Sequence, residues 1–299
     1  MTKKRLTMSQ KKGIMGVVFV SPWILGFIFL FAVPMIQSFY FSINNLKILP
    51  EGYTLQYEGL GNYIEALRVH PTFNRILAEA VGNMLVNVPL IIIFSLFSAT
   101  LLNQKFKGRT LARAIFFLPV IIASRAITTV ETGDYLKTVA SSMGADMGGM
   151  FNVLKGFQLE ETLINSGMNA KLVGYLTGSV NRIYQIVSSS GVQILIFLSG
   201  LQSISPSIYE ASHIEGATRY EDFWKITFPM MSPLILTNTI YSIIDSFTNN
   251  EMTSLLNIIA FSNQDFSLSA AMAWIYFIII SIILIITTAL ISKKVFYLE

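Results

Sequence analysis

Apolar runs of about twenty residues recur along this chain, and a run of that length is long enough to cross the roughly 30 Å hydrocarbon core of a bilayer as a helix. Such a run has little choice of structure, because no water is present in the bilayer core to satisfy backbone N–H and C=O groups and the helix must satisfy them itself. Six spans are predicted, near residues 14–36, 79–102, 112–131, 184–202, 228–248 and 270–291. The third and fifth carry Arg125 and Asp245, and Pro119, Pro229 and Pro233 fall within or at the ends of these two, which predicts kinks. Only 13% of the residues are charged, against about a quarter in a soluble globular protein, so lipid is the main solvent. The expected class is an all-α membrane protein with six transmembrane helices.

The basic residues set the orientation. Lys and Arg number 5 in the N-terminal segment, 4 around residues 103–113, 2 in 203–227 and 2 at the C-terminus. The two longer loops on the opposite side, 37–78 and 132–183, hold 3 and 4. Both termini are therefore expected on the cytoplasmic side, in a bacterial cell membrane crossed several times. The basic stretch 1–13 opens like a secretory signal, but the apolar part that follows is too long and lacks a small-residue cleavage site after Pro34, so it reads as a retained anchor of a transmembrane domain spanning 14–299. A net charge of +4 points to no nucleic acid, since the basic residues sit beside the spans. The chain contains no cysteine, which removes disulfides and thiolate metal sites. The loop 132–183, with Gly144, Gly148, Gly149 and Gly156, is long enough to need structure of its own and is expected to form short helices over the external mouth.

Residues 205–229, SPSIYEASHIEGATRYEDFWKITFP, are too polar for the membrane core. They predict two short helices joined at a glycine. Ser205 before Pro206 suits an N-cap and first helical position, with Ser207 and Glu210 as an alternative capping box. Gly216 ends the first helix in the left-handed conformation, Thr218 and Glu221 form a capping box for the second, and Tyr220, Phe223 and Trp224 share a face. The product is an L-shaped cytoplasmic projection.

This segment resembles the permease family of binding-protein-dependent ATP-binding-cassette importers, whose cytoplasmic signature is Glu-Ala-Ala, three residues, Gly, nine residues, then Ile-x-Leu-Pro. Here Glu210, Ala211 and Ser212 are followed by Gly216 and then by Ile226, Thr227, Phe228 and Pro229 at matching spacing. Ser212 and Phe228 depart from the pattern but keep small size and hydrophobicity. Ser21-Pro22-Trp23, Gly61-Asn62-Tyr63 and the run from Arg113 to Pro119 are similar to sugar-importer permeases of the maltose and multiple-sugar type. The resemblance implies the type I importer permease fold, with the first short helix seated in a cleft of an ATPase subunit and Glu210 facing a basic group there. It also implies an assembly with a second permease, making a heterodimer, two cytoplasmic ATPases and an external substrate-binding protein. No G-x-x-x-x-G-K-[ST] loop occurs, so no cofactor is expected in this chain, and ATP and magnesium belong to the partner subunits.

Polar residues inside spans mark possible solute paths. Asn238, Tyr241, Asp245 and Asn249 fall on one helical face; Asn83 with Asn87, and Gln185 with Ser189 and Gln193, form shorter lines. These residues either bind hydroxyl-rich solutes or hold the helices together by interhelical hydrogen bonds. Arg125 can neutralise Asp245, bind an acidic sugar, or reach outward to the interface. His213 has only one other histidine in the chain for company, and Glu131, Asp134 and Asp265 are scattered, so no metal site is expected. Two other functions compete with a sugar importer: import of another solute, such as a glycerol-phosphate-like compound, and ion-coupled secondary transport. A membrane enzyme acting on lipid-linked sugars would need clustered acidic or histidine residues.

Overall fold

A computed structural model describes residues 8–49, 52–104, 107–108, 111, 169–248 and 250–296. They cluster into two units, residues 1–81 with 247–283 and residues 82–246 with 284–299. The predicted third span, Arg125, Asn249 and most of the second external loop lie outside the described residues.

In the first unit, α1 (Met8–Phe27) passes through a π-helical turn at Ile28–Ala32 into α2 (Val33–Ser42). Together they make an apolar span over Met15–Ser42, six residues longer at its C-terminal end than the predicted 14–36. An antiparallel hairpin follows, β1 (Asn44–Leu49) paired with β2 (Gly52–Tyr57) in register Asn44 to Tyr57. The hairpin is the one element that an all-helical reading of the sequence does not contain. Residues 44–57 form a small two-stranded sheet that a scan for apolar runs passes over. It is anchored through β1, near the open end: the Leu46 N–H donates to Ser267 Oγ at 2.7 Å, and buried Asn62, in α3 (Gly61–Ile64), donates to the carbonyls of Ser42 and Asn44 at 3.0 Å each. Tyr63 OH lies 2.7 Å from Ser42 Oγ. The Gly-Asn-Tyr triplet thus ties the hairpin to the end of the first span.

The second apolar helix, α4, runs over Phe73–Asn103 and starts six residues before the predicted 79. α5 (Ala170–Ser189) occupies sequence assigned above to the external loop, and with α6 (Gly191–Ser203) it forms a pair bent by 49°. The bend falls at Ser190-Gly191, a Ser/Gly pair of the kind that kinks helices. Ser95 Oγ donates to the Ser190 carbonyl at 3.4 Å, beside the bond that this carbonyl accepts from the Ile194 N–H at 2.9 Å, and so ties α4 to the bend.

The segment that carries the signature forms α7 (Pro206–Ile214), α8 (Arg219–Glu221), a π turn at Asp222–Thr227 and α9 (Phe228–Met230), and leads into α10 (Ser232–Thr248). Gly200 of α6 is where α10 comes close: a Cβ there would lie 2.0 Å from Leu234 Cδ1 and 3.2 Å from Met231 Cε. After α11 (Glu251–Asn257) and a further π turn, α12 (Phe266–Ser292) completes the chain, extending the predicted 270–291. Among the described residues three helices are long and apolar enough to cross a membrane, and a fourth if the bent α5–α6 pair counts as one span.

The π turns at Ile28–Ala32, Glu65–Val69 and Asp222–Thr227 each end two residues before a proline, Pro34, Pro71 and Pro229. At Pro34 and Pro229, where the helix continues, proline has no N–H to close the ordinary turn and its ring crowds the carbonyl four residues back, so widening the preceding turn relieves the crowding; before Pro71 the chain has already left the helix at the extended His70.

Candidate functional site

The L-shaped projection is built from short-range bonds. Ser205 is the N-cap of α7 by backbone conformation, with Pro206 in the first turn, but its hydroxyl caps no N–H. It pairs instead with Ser207 Oγ at 2.7 Å, and the alternative Ser207–Glu210 capping box does not form. Proline in the first turn leaves one donor fewer to cap, so each hydroxyl finds the other. At the other end Gly216 adopts φ +85, as predicted. The Gly216 N–H donates to the His213 carbonyl at 3.1 Å and the Ala217 N–H to the Ser212 carbonyl at 3.0 Å, the two bonds of a Schellman stop. A Cβ on Gly216 would touch nothing within the chain, so what glycine supplies here is the left-handed backbone and an open face.

The second limb opens with the predicted capping box: Thr218 Oγ1 accepts from the Glu221 N–H at 3.4 Å, and the Thr218 N–H donates to Glu221 Oε2 at 3.0 Å. Lys225 Nζ adds an ion pair to Glu221 at 3.0 Å. The Thr218 N–H, followed by the Lys225 bond and charge, holds the Glu221 carboxyl at a pKa of about 2. Beyond this cap the predicted helix is only three residues of α-helix before the π turn. Its aromatic face nonetheless forms, with Trp224 packing against Phe223 and Phe228 at centroid distances of 5.2 and 5.3 Å.

The two limbs are tied by Asp222, a residue that the sequence reading passed over. It is buried, and its Oδ1 accepts from Ser212 Oγ at 2.7 Å while His213 Nε2 lies 3.6 Å from Oδ2. Tyr209 OH and Thr227 Oγ1 add a second tie at 2.9 Å. Ser212, a departure from the family signature, thus has a use: its hydroxyl reaches the carboxylate that an alanine could not bond. The signal that could have exposed Asp222 was its place four residues after Thr218, pointing back toward α7 on the inner side of the bend. Glu210 and Ala211, by contrast, are exposed, and Glu210 makes no ion pair among the described residues. Ile226 and Pro229 are half-buried at the base of the second limb.

The polar lines of the spans divide. Asn87 is buried and accepts from Arg182 Nε at 3.1 Å, whereas Asn83 is exposed. Gln193 and Asn238 are fully buried: Gln193 Nε2 donates to Ser242 Oγ at 2.9 Å, and Asn238 Nδ2 donates to the Gln193 carbonyl at 3.4 Å. Tyr241 is 38% exposed and Asp245 half-buried, one turn apart on α10. Gln193 and Asn238 therefore meet across α6 and α10. Among the described residues no group of His, Asp and Glu is placed to hold a metal ion.

The described residues combine long apolar helices with an exposed, internally locked elbow. The chain belongs to the family of binding-protein-dependent transport system inner membrane components, which matches residues 59–296. It is 27% identical to the probable ABC transporter permease protein YesP of Bacillus subtilis, over 93% of this chain and 90% of that one. It is 28% identical to the multiple sugar-binding transport system permease protein MsmF of Streptococcus mutans, over 92% and 93%. The lactose transport system permease protein LacF of Rhizobium radiobacter is 28% identical over 81% of this chain and 76% of its own. In fold, the chain is similar to a bacterial alginate ABC transporter crystallised with an alginate pentasaccharide-bound periplasmic protein, with TM-score 0.61 and 16% identity over 95% and 96% of the two chains.

Proposed function

We propose that this chain is the channel-forming subunit of an ATP-driven importer for a sugar or oligosaccharide, working by alternating access. The observation that carries the reading is the elbow. Its signature residues stand at the family spacing, its bend is locked by a left-handed glycine and the Asp222 ties, and Glu210 projects from it exposed, with no ion pair among the described residues. A rigid projection of this kind can pass a push from an ATPase subunit to the spans, and a free carboxylate can orient it by a charge-assisted bond. The proposed partners are a second, non-identical permease, two cytoplasmic ATPases that bind ATP and magnesium, and an external binding protein. Both termini lie on the cytoplasmic side. Relatives named for multiple sugars and lactose support a carbohydrate as the solute.

For the solute path we propose Tyr241 and Asp245 with exposed Asn83; Arg125 and Asn249 remain candidates on sequence alone. Asn87, Gln193 and Asn238 bond to other helices in this chain, which supports a role in holding the bundle. Uptake into vesicles reconstituted with the co-purifying subunits tests the reading. Transport of an unaltered sugar that requires ATP is expected, and the Glu210→Ala, Gly216→Val double variant should lose it together with the ATPase. Uptake driven by an ion gradient without ATP would replace this reading by secondary transport. Recognition of a phosphorylated polyol alone by the external partner would replace the sugar.

A further inference from the structure

Three aromatic rings on the second limb of the elbow remain uncovered and rise in line toward the membrane: Tyr220 is 73% exposed, Trp224 49% and Phe228 37%. They follow one another at intervals of four residues, and the ring of Trp224 touches both neighbours, at 6.3 Å from Tyr220 and 5.3 Å from Phe228. Exposure falls steadily along the chain toward α10, into which the limb runs directly. The length of α10 sets the level of these rings. At 17 residues it is about 25 Å long, short of the roughly 30 Å hydrocarbon core. Adding α9 and the turn at Met231, which is closed by Met231 N–H to the Thr227 carbonyl at 3.0 Å, gives Phe228–Thr248 and about 31 Å. Read as the fifth span, as the sequence predicts for 228–248, this stretch sets Phe228 at the edge of the hydrocarbon, with Trp224 and Tyr220 one and two turns beyond it, at headgroup depth. Indole and phenol rings are favoured there because one end is apolar and the other hydrogen-bonds to wet headgroups. Arg219 and Lys225 on the same limb offer cations to phosphate groups, and Lys225 Nζ can exchange its exposed Glu221 partner for them at little cost.

We infer that the aromatic stripe Tyr220–Trp224–Phe228 is a lipid-binding surface that seats the second limb of the elbow in the headgroup layer, leaving α7 as the limb that meets soluble partners. The division gives separate tasks to two limbs that Asp222 and Tyr209 lock together: one limb holds depth, and the other receives force. The inference rests on the membrane assignment of the family, and not on ATP coupling or on the identity of the solute.

The chain has three tryptophans and no cysteine, so two independent probes are available in the full-length protein with its co-purifying subunits. In nanodiscs of phosphatidylethanolamine and phosphatidylglycerol, Trp23→Phe with Trp274→Phe leaves Trp224 as the only tryptophan of this chain, and its emission is read as the difference from the same assembly that also carries Trp224→Phe. Nitroxide lipids labelled near the headgroup should quench it at least twofold more than lipids labelled at the chain end, with or without ATPase subunits bound. If the double variant does not fold, Trp224→Cys in the otherwise natural chain carries a spin label instead, with Ile214→Cys, at an 87% exposed position on α7, as the water-facing reference when the ATPase subunits are left out. The label at 224 should be more accessible to oxygen than to a water-soluble nickel complex, and the label at 214 the reverse. Equal water access at the two positions, or lipid quenching that vanishes when the ATPase binds, would overturn the inference, the second outcome assigning the stripe to the ATPase. Loss of ATP-driven uptake with lipid quenching intact would count against the transport reading alone.

Discussion

Asp222 shows how one buried side chain can set the shape of an exposed projection. Its carboxylate holds Ser212 and faces His213, both on the other limb, so its removal breaks a charge-assisted bond between the limbs and frees the bend. Asp222→Ala should loosen the elbow by about 1–3 kcal/mol, seen as faster hydrogen exchange through residues 206–228, while Asp222→Asn, which keeps an acceptor for Ser212, should lose much less. Equal exchange in all three proteins would show that the ties do not set the angle. Glu221 carries a pH signature. Its folded pKa of about 2 lies below the ordinary 4.5, so the stabilisation from its cap is complete above 4.5 and disappears as the pH falls from 4.5 through about 2. A carboxyl-carbon titration of Glu221 should show a midpoint near 2, rising in Lys225→Ala; a midpoint near 4.5 in the unaltered protein would contradict the capping geometry.

Between elements, close packing at a few small residues decides how the helices meet. Gly200 lets α10 approach α6 so nearly that an added Cβ would overlap Leu234. Alanine can be admitted if Leu234 turns aside, but Gly200→Ile cannot, and should cost about 1–3 kcal/mol by overpacking, measured as a lowered unfolding midpoint in detergent. Gly216 offers the opposite case. Space is open around it, so Gly216→Val should leave the fold of the spans intact and strain only the left-handed turn, by about 1 kcal/mol or more. A Gly216→Val chain that denatured as readily as Gly200→Ile would show that the elbow is part of the core.

For the molecule as a whole, the distribution of basic residues predicts which positions water-soluble reagents can reach from each side. Single cysteines introduced at 60 should react with an impermeant thiol reagent outside the cell, and those at 107 and 215 only after the membrane is opened. Reaction at 215 from outside would invert the topology and remove the elbow from any ATPase. Helices of membrane-crossing length account for the first, second and sixth predicted spans, and the bent pair for the fourth. The fifth is a helix interrupted at Met231, and the third lies outside the described residues.

The sequence by itself determined the features whose physical causes are local. Long apolar runs imply helices in lipid, a glycine between polar turns implies a left-handed stop, and Thr218 with Glu221 implies a cap, because each depends on residues within a few positions of one another. Only the tertiary structure decided what depends on distant partners. It assigned Asn87 to Arg182, Gln193 to Ser242 and Ser212 to Asp222, and it tied the bend of the fourth span to Ser95. The hairpin likewise stayed hidden because its anchors come from Asn62 and Ser267, the latter 221 residues from Leu46, and no local pattern announces a bond of that reach. Polarity inside a span is visible in the sequence, but whether it serves a neighbour or a solute depends on which groups the fold leaves facing it.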